Sequence, residues 1–352
     1  MDPSSKDLIG SLALFEGIDP AALEGFARIF RPVSFAPGAF LARQGQPANG
    51  AWIIESGTVD ALTALPGGGE VHVASLGRGG ILGEMALLDA GVRAASAVAR
   101  TAVTAWFIDR DGFRMLLTQR DRAAYLVQQR ITRELCRRLR ELNAKIVAAD
   151  APENAAPPLS GASADPGAAR RGSCPFDWRA FLPILPVFRR FEAEELRDFA
   201  DRVEPVEVDR GRILFQQGDA GACAYVIVRG ALEILRAENG RRHRIGVLGP
   251  GRLCGVLALI EGREHSMSAV AREPAVLLEV AKKTFEALFT GSDPVAAKFQ
   301  DAINRELLQS FARATIHLTR LVSQARIRGG REERKRADDL QRALAEPECR
   351  GA

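Results

Sequence analysis

The chain repeats itself, and that repeat limits its folds more tightly than any composition does. Phe15 to Leu62 aligns with Phe188 to Leu235 at a constant offset of 173. Leu23 falls on Leu196, Phe26 on Phe199, Pro32 on Pro205, Gly38 on Gly211, Gln44 on Gln217 and Gly57 on Gly230. One residue is lost near Asn239-Gly240; the match resumes with Leu76-Gly77 on Leu248-Gly249 and runs to Phe113 on Phe285. Two copies of one unit exclude a single large domain, and 352 residues give each copy an ordinary domain size.

In the first copy the local signals run in order. Asp19-Pro20 predicts a capped helix start, with Leu23, Phe26, Ala27 and Phe30 on one helical face. From Pro32 to Ile108 short runs of Val, Ile, Ala and Thr are punctuated by Pro37-Gly38, Gly45, Pro47, Gly57, Gly67 to Gly69 and Gly77 to Gly80. Such spacing predicts the short strands of a sandwich or jelly roll. Helical periodicity follows in Phe113, Leu116 and Leu117. After a break near Asp121 it continues through Tyr125, Ile131, Leu135, Leu139 and Leu142, and it returns over Val295 to Ala325. The apolar stripe of such a long helix covers the barrel, caps a ligand or pairs with a second copy.

The predicted class is mainly β with α: two β jelly-roll domains, each flanked by helices and followed by a long amphipathic helix. The domains are expected at 1–150 and 176–325, joined by an Ala/Pro/Gly/Ser-rich linker at 151–175 and followed by a charged tail at 326–352.

Apolar residues at 47% and charged residues at 26% describe a soluble globular chain. No run approaches the roughly 18 apolar residues of a membrane span, and Met1 to Ile18 does not read as a secretory signal, so a cytoplasmic protein is expected. The net charge of +4 comes from interspersed residues of both signs, which argues against a nucleic-acid partner. Five cysteines without a Cys-x-x-Cys pair and only four histidines indicate neither a metal site nor a disulfide framework. No nucleotide-kinase glycine loop or Gly-x-Ser-x-Gly is present, so no enzyme is expected.

One stretch points to a ligand: Gly83 to Ser96, Gly-Glu-Met-Ala-Leu-Leu-Asp-Ala-Gly-Val-Arg-Ala-Ala-Ser. Gly83 allows close backbone approach at the start of a short apolar turn. Arg93, at the head of a strand-like run to Val98, offers a planar fork to two phosphate oxygens. Glu84 beside a phosphate is repulsive unless it has its own donor, and a ribose hydroxyl is such a donor. Acid, glycine and arginine together therefore suit a sugar phosphate.

These residues resemble the phosphate-binding cassette of cyclic-nucleotide-binding domains, in which Gly-Glu-x-Ala-Leu precedes Arg-Ala-Ala. The Gly83 to Arg93 spacing is similar to that of regulatory subunits of cyclic-AMP-dependent protein kinase. The resemblance implies that Glu84 takes the ribose 2′-hydroxyl and Arg93 the exocyclic phosphate oxygens. It assigns the remaining contacts to the backbone of Gly83, Glu84, Met85, Ala86 and Ala94. Ala94, where cyclic-GMP-selective relatives often carry Thr, favours cyclic AMP over cyclic GMP. Tyr125 and Trp178 are candidates for a lid over the base.

In the second copy, Gly255 to Ser268, Val256 stands where Glu84 does and His265 where Arg93 does, while Ala258, Leu259 and Ser268 keep the apolar frame. Loss of both anchors predicts a degenerate site; Arg263, a candidate substitute, lies two residues early on a turn. Transcription factors of the family carry a helix-turn-helix after the long helix, and no such signal follows here. Output is therefore expected to pass to a protein effector, with a homodimer through the long helices as one arrangement. Two alternatives stay open. One is a scaffold that uses neither site; the other is a kinase-inhibitor role for the linker segment Arg170-Arg171-Gly172-Ser173.

Overall fold

Helix α1 (Pro20–Ala27) starts as its sequence dictates: Asp19 accepts a hydrogen bond from the Ala21 amide at 2.7 Å, and Pro20 fills the first turn. It ends earlier than the periodicity implies. Phe30, expected on the helical face, opens strand β1 (Phe30–Phe35) and reaches the same cluster from there, its ring 5.5 Å from that of Phe26. Packing in three dimensions has reproduced a spacing that looked helical in sequence.

The computed structural model describes residues 9–64, 70–149, 170–171, 176–238 and 241–328. They fall into two compact units, one reaching Arg138 and including the helix from Phe311, the other running from Leu139 to Ser310.

The first unit continues with β2 (Phe40–Ala42), β3 (Pro47–Ala48), β4 (Gly50–Ser56), β5 (Val59–Ala64), β6 (Glu70–Leu76) and β7 (Ile81–Leu82). A four-residue helix α2 (Met85–Leu88) leads to β8 (Gly91–Val92), β9 (Ser96–Ala99) and β10 (Val103–Asp109). Two four-stranded sheets result, in the orders β1-β10-β4-β7 and β2-β9-β5-β6, with β3 and β8 paired beside them. Alternate residues of both sheets meet in one core of Leu41, Ala42, Trp52, Ile54, Val59, Ala97, Ala99, Val103 and Ala105.

Helices α3 (Arg110–Thr118) and α4 (Arg122–Ala149) follow. The break expected near Asp121 is present: Arg120 adopts φ +60°, and the Asp121 carboxylate caps α4 by accepting from the Ala124 amide at 2.8 Å. Phe15, Phe26, Phe30 and Phe113 pack edge to face at 5.5–6.1 Å and join the helices to the barrel.

The second unit repeats the topology. Strand β11 (Arg170–Arg171) leads to helix α5 (Ala193–Asp201), and then to β12 (Glu204–Val208), β13 (Ile213–Phe215), β14 (Cys223–Arg229), β15 (Leu232–Glu238), β16 (Arg241–Leu248) and β17 (Leu253–Cys254). Helix α6 (Val256–Glu261), β18 (Ser268–Ala271), β19 (Ala275–Ala281), α7 (Lys282–Thr290) and the part of α8 (Pro294–Arg328) up to Ser310 complete it. The sheets run β11-β12-β19-β14-β17 and β13-β18-β15-β16, matching the first unit strand for strand once β11 is set aside. Register is conserved as well: Ala42 faces Ala97 across β2 and β9, and Phe215 faces Ala269 across β13 and β18.

Arg170 and Arg171, read as linker, pair with Glu207 and Val206 at the sheet edge. The rest of the linker, Gly172 and Ser173 included, and the tail beyond Arg328 lie outside the described residues. Trp178 is buried in the second unit with only 8% of its surface exposed, as a core residue rather than a free lid. Tyr125 is half-buried on α4. Among the described residues no helix is long and apolar enough to cross a membrane, and no group of three or more His, Cys, Asp or Glu could hold a metal ion.

Candidate functional site

The first cassette is set between β7 and β9. Gly83 adopts φ +79°, a conformation that side chains disfavour. A Cβ there would lie 2.3 Å from Nη1 of Arg93, so the arginine runs directly past the glycine. The Ala86 amide donates to the Gly83 carbonyl at 3.0 Å, and the Leu87 amide to that of Glu84 at 3.0 Å. Ala86, Leu87 and Leu88 are buried, which anchors the turn. Met85 is half-buried and Ala94 exposed. Arg93 sits between two short strands rather than on one: β8 ends at Val92 and β9 begins at Ser96. Its backbone is pinned nonetheless. The Arg93 amide donates to the Gln46 carbonyl at 2.8 Å, and the Gly45 amide to the Arg93 carbonyl at 2.9 Å.

The structure thus brings Gly83, Glu84 and Arg93 together, and both charged side chains are buried. The Arg93 guanidinium lies 4.5 Å over the ring of Trp52, and its Nη2 donates to Oδ1 of Asn49 at 3.1 Å. Asn49 is neutral, and it is the one hydrogen-bond partner of the Arg93 side chain among the described residues. Burial pushes the Arg93 guanidinium down to about 10, against the pull of Glu84; it stays charged at neutral pH. A cavity of about 340 Å³ opens beside it, lined by Leu41, Ala42, Gln46, Pro47, Asn49, Trp52, Arg93 and Phe107. A buried cation facing a cavity has the chemistry to receive an anion.

Glu84 has a different partner. Arg138, from α4, donates through Nη1 to Oε1 of Glu84 at 2.7 Å and through Nε to Glu134 at 2.8 Å. Arg137 adds two contacts to Glu134, at 2.6 and 2.8 Å. Burial pushes the Glu134 carboxyl up, but the Arg137 and Arg138 guanidiniums outweigh it and hold it below the usual carboxylate range. A carboxylate offers about four acceptor sites, so Glu84 links the cassette to α4 and keeps capacity for another donor.

Asn49, Trp52 and Arg138 were not singled out from the sequence. Asn49 and Trp52 precede the cassette by more than thirty residues, and only sheet formation brings them beneath it. Arg138 is 54 residues from Glu84; nothing in helical periodicity distinguishes it from the other arginines of α4.

The second cassette keeps the frame and exchanges the chemistry. Gly255 adopts φ +84°, and ten residues on, His265 occupies the place of Arg93. The backbone bonds recur: the Gly218 amide donates to the His265 carbonyl at 2.9 Å, and the His265 amide to the Asp219 carbonyl at 2.8 Å. Val256 is buried where Glu84 stood. The His265 ring stacks on Phe215, with centroids 3.8 Å apart and planes 12° from parallel. Burial pushes His265 down to about 4, with Arg140 adding to this and Asp219 opposing it, so the ring is neutral at neutral pH. Within the same unit Arg140 donates through Nε to Glu261 at 2.7 Å and through Nη1 to the Glu264 carbonyl at 3.1 Å.

Comparison with known proteins agrees with this architecture. The cyclic nucleotide-binding domain family matches residues 32–120 and 205–292. The chain is 25% identical over 284 residues to a cAMP-dependent protein kinase regulatory subunit of Blastocladiella emersonii, covering 80% of this chain and 57% of that protein's length. It is 30% identical over 156 residues to a CRP-like cAMP-activated global transcriptional regulator of Mycobacterium tuberculosis (strain CDC 1551 / Oshkosh), covering 44% of this chain and 68% of that one. Among solved structures, the regulatory domain of Toxoplasma gondii PKA with cAMP aligns over 89% of this chain and 98% of its own, at 18% identity and a TM-score of 0.32. Matched in both repeats over half of its length, the chain belongs to the cyclic nucleotide-binding domain family, with two such domains in tandem.

Proposed function

We propose that the chain is a cyclic-nucleotide sensor that binds cyclic AMP in its first domain and reports occupancy to a protein effector. One observation carries this reading: a buried, charged Arg93 held by a neutral Asn49 beside a 340 Å³ cavity. Asn49 orients the guanidinium without neutralising it, so the cation is kept for a ligand phosphate. Gly83 leaves room for the arginine, and the backbone of Met85, Ala86 and Ala94 frames the sugar phosphate.

Glu84 takes the ribose 2′-hydroxyl in this reading. That hydroxyl shares the carboxylate with Arg138, so ligand entry perturbs the Glu84–Arg138–Glu134 chain and shifts the setting of α4. The shift is limited by the difference in ligand affinity between the two settings of α4. Val256 and His265 leave the second domain without a comparable receptor.

The output is regulatory rather than catalytic, which the regulatory names of the two curated relatives support; the same reading takes the chain as cytoplasmic, with domains at 1–150 and 176–325 and a homodimer through the long helices as one arrangement. Titrating the purified chain with cyclic AMP and cyclic GMP by calorimetry tests the reading. Binding of one cyclic AMP per chain, tighter than cyclic GMP, is expected; absence of heat and of any thermal shift with either nucleotide would overturn it.

A further inference from the structure

The second cassette has lost more than its two anchors. Three backbone correspondences fix which residues are equivalent. The Arg110 amide donates to the Asn49 carbonyl at 2.9 Å as the Lys282 amide does to that of Ala222 at 2.9 Å. Ala42 faces Ala97 as Phe215 faces Ala269. Pro47 pairs with Val92 as Ala220 pairs with Glu264. Ala222 therefore stands for Asn49, and Phe215 for Ala42.

Ala42 lines the cavity of the first cassette with a single methyl group. Phe215 carries a whole ring from the same point of the barrel. That ring lies face to face with His265 at 3.8 Å, and its Cε1 comes within 3.5 Å of where a Cβ on Gly255 would sit. It therefore spans from β13 to both ends of the cassette, the opening glycine and the residue at the arginine position. In the first unit the space beside the cassette glycine belongs to the Arg93 side chain, which rests on Trp52.

We propose that Phe215 is a built-in plug: its ring, stacked on His265, occupies the part of the second barrel that holds ligand in the first, so the second domain is kept in a filled arrangement by its own side chain. The plug, and not only the missing acid and arginine, then determines ligand specificity, and restoring the anchors alone does not restore the site. This inference rests on the reading of the first cassette as a cyclic AMP site, which serves as the internal standard in the test.

The full-length chain is titrated with cyclic AMP in three forms: wild type, A222N/V256E/H265R, and A222N/V256E/H265R with F215A. Expected stoichiometries are one, one and two per chain. Two sites in the variant that retains Phe215 would overturn the plug, as would one site in the F215A form when its melting curve shows a folded chain. Where F215A does not fold, F215L removes the flat ring while keeping apolar cover on β13. A second readout needs no nucleotide. The His265 ring protons should resonate upfield in wild type, because they lie over the Phe215 face, and move downfield in the single variants F215A or F215L, which keep His265; unchanged positions would overturn the stack. Failure of wild type to bind any cyclic AMP would remove the first-site reading and leave the plug to be judged by the histidine resonances.

Discussion

The two cassettes differ less in shape than in what they bury. Both open on a glycine at φ near +80°, both reach the key side chain ten residues later, and both pin that residue by the same two backbone hydrogen bonds. The first buries a charged guanidinium on an indole and leaves a cavity beside it. The second buries a neutral imidazole and covers it with a phenyl ring. A buried cation whose hydrogen-bond partner is neutral, and whose neighbouring acid Glu84 is tied to Arg138, is costly without an anion, whereas stacked neutral rings need none. A conserved frame therefore does not imply a conserved ligand; the burial of charge separates the two.

The largest expected effect exploits this contrast in charge. His265 is held at about 4 in the folded chain against an ordinary value of 6.5. Above pH 6.5 its contribution is fully present; as pH falls from 6.5 towards 4 the unfolded chain takes up a proton that the folded chain refuses, and stability is lost. Urea melts over that window should lose on the order of 3 kcal/mol more in wild type than in His265→Phe. Equal slopes would break the comparison. Arg93 contributes nothing in the same window, since it is protonated in both states below about 10.

Next in size is Arg93→Ala. Loss of a charge-assisted contact of about 1.5–3 kcal/mol should weaken cyclic AMP roughly ten- to 150-fold. His265→Ala in the second cassette should leave that affinity unchanged. Titration calorimetry of the two variants side by side checks both statements. Asn49→Ala removes only the group that orients the guanidinium, and about a fivefold loss, near 1 kcal/mol, is expected in the same assay.

The smallest change in affinity is expected for Arg138→Ala, within about threefold. Its consequence lies elsewhere. With the link from Glu84 to α4 cut, cyclic AMP should no longer alter amide exchange around Glu134, as it does in wild type. Retention of that response would mean that occupancy reaches the helix by another route.

Much of this fold was legible because its signals are local or repeated. Asp19, Pro20 and Asp121 act within one helical turn, and the offset of 173 revealed two copies without any knowledge of their shape. Gly83, Glu84 and Arg93 were readable because ten residues of chain bring them together. Asn49, Trp52 and Arg138 were not, because their place in the site depends on sheet pairing and on the course of α4. Phe30 looked helical because the aromatic cluster draws rings from two kinds of element. Phe215 is an intermediate case. The repeat alignment already placed it on Ala42, but only the register of β2 with β9 and of β13 with β18 turns that substitution into a filled space.

The account rests on one site per chain, and stoichiometry measures this directly. Calorimetric titration of the full-length protein with cyclic AMP should give one molecule bound per chain, abolished or strongly weakened by Arg93→Ala and unaffected by His265→Ala. A value of two, or binding that survives Arg93→Ala and disappears with His265→Ala, would contradict it.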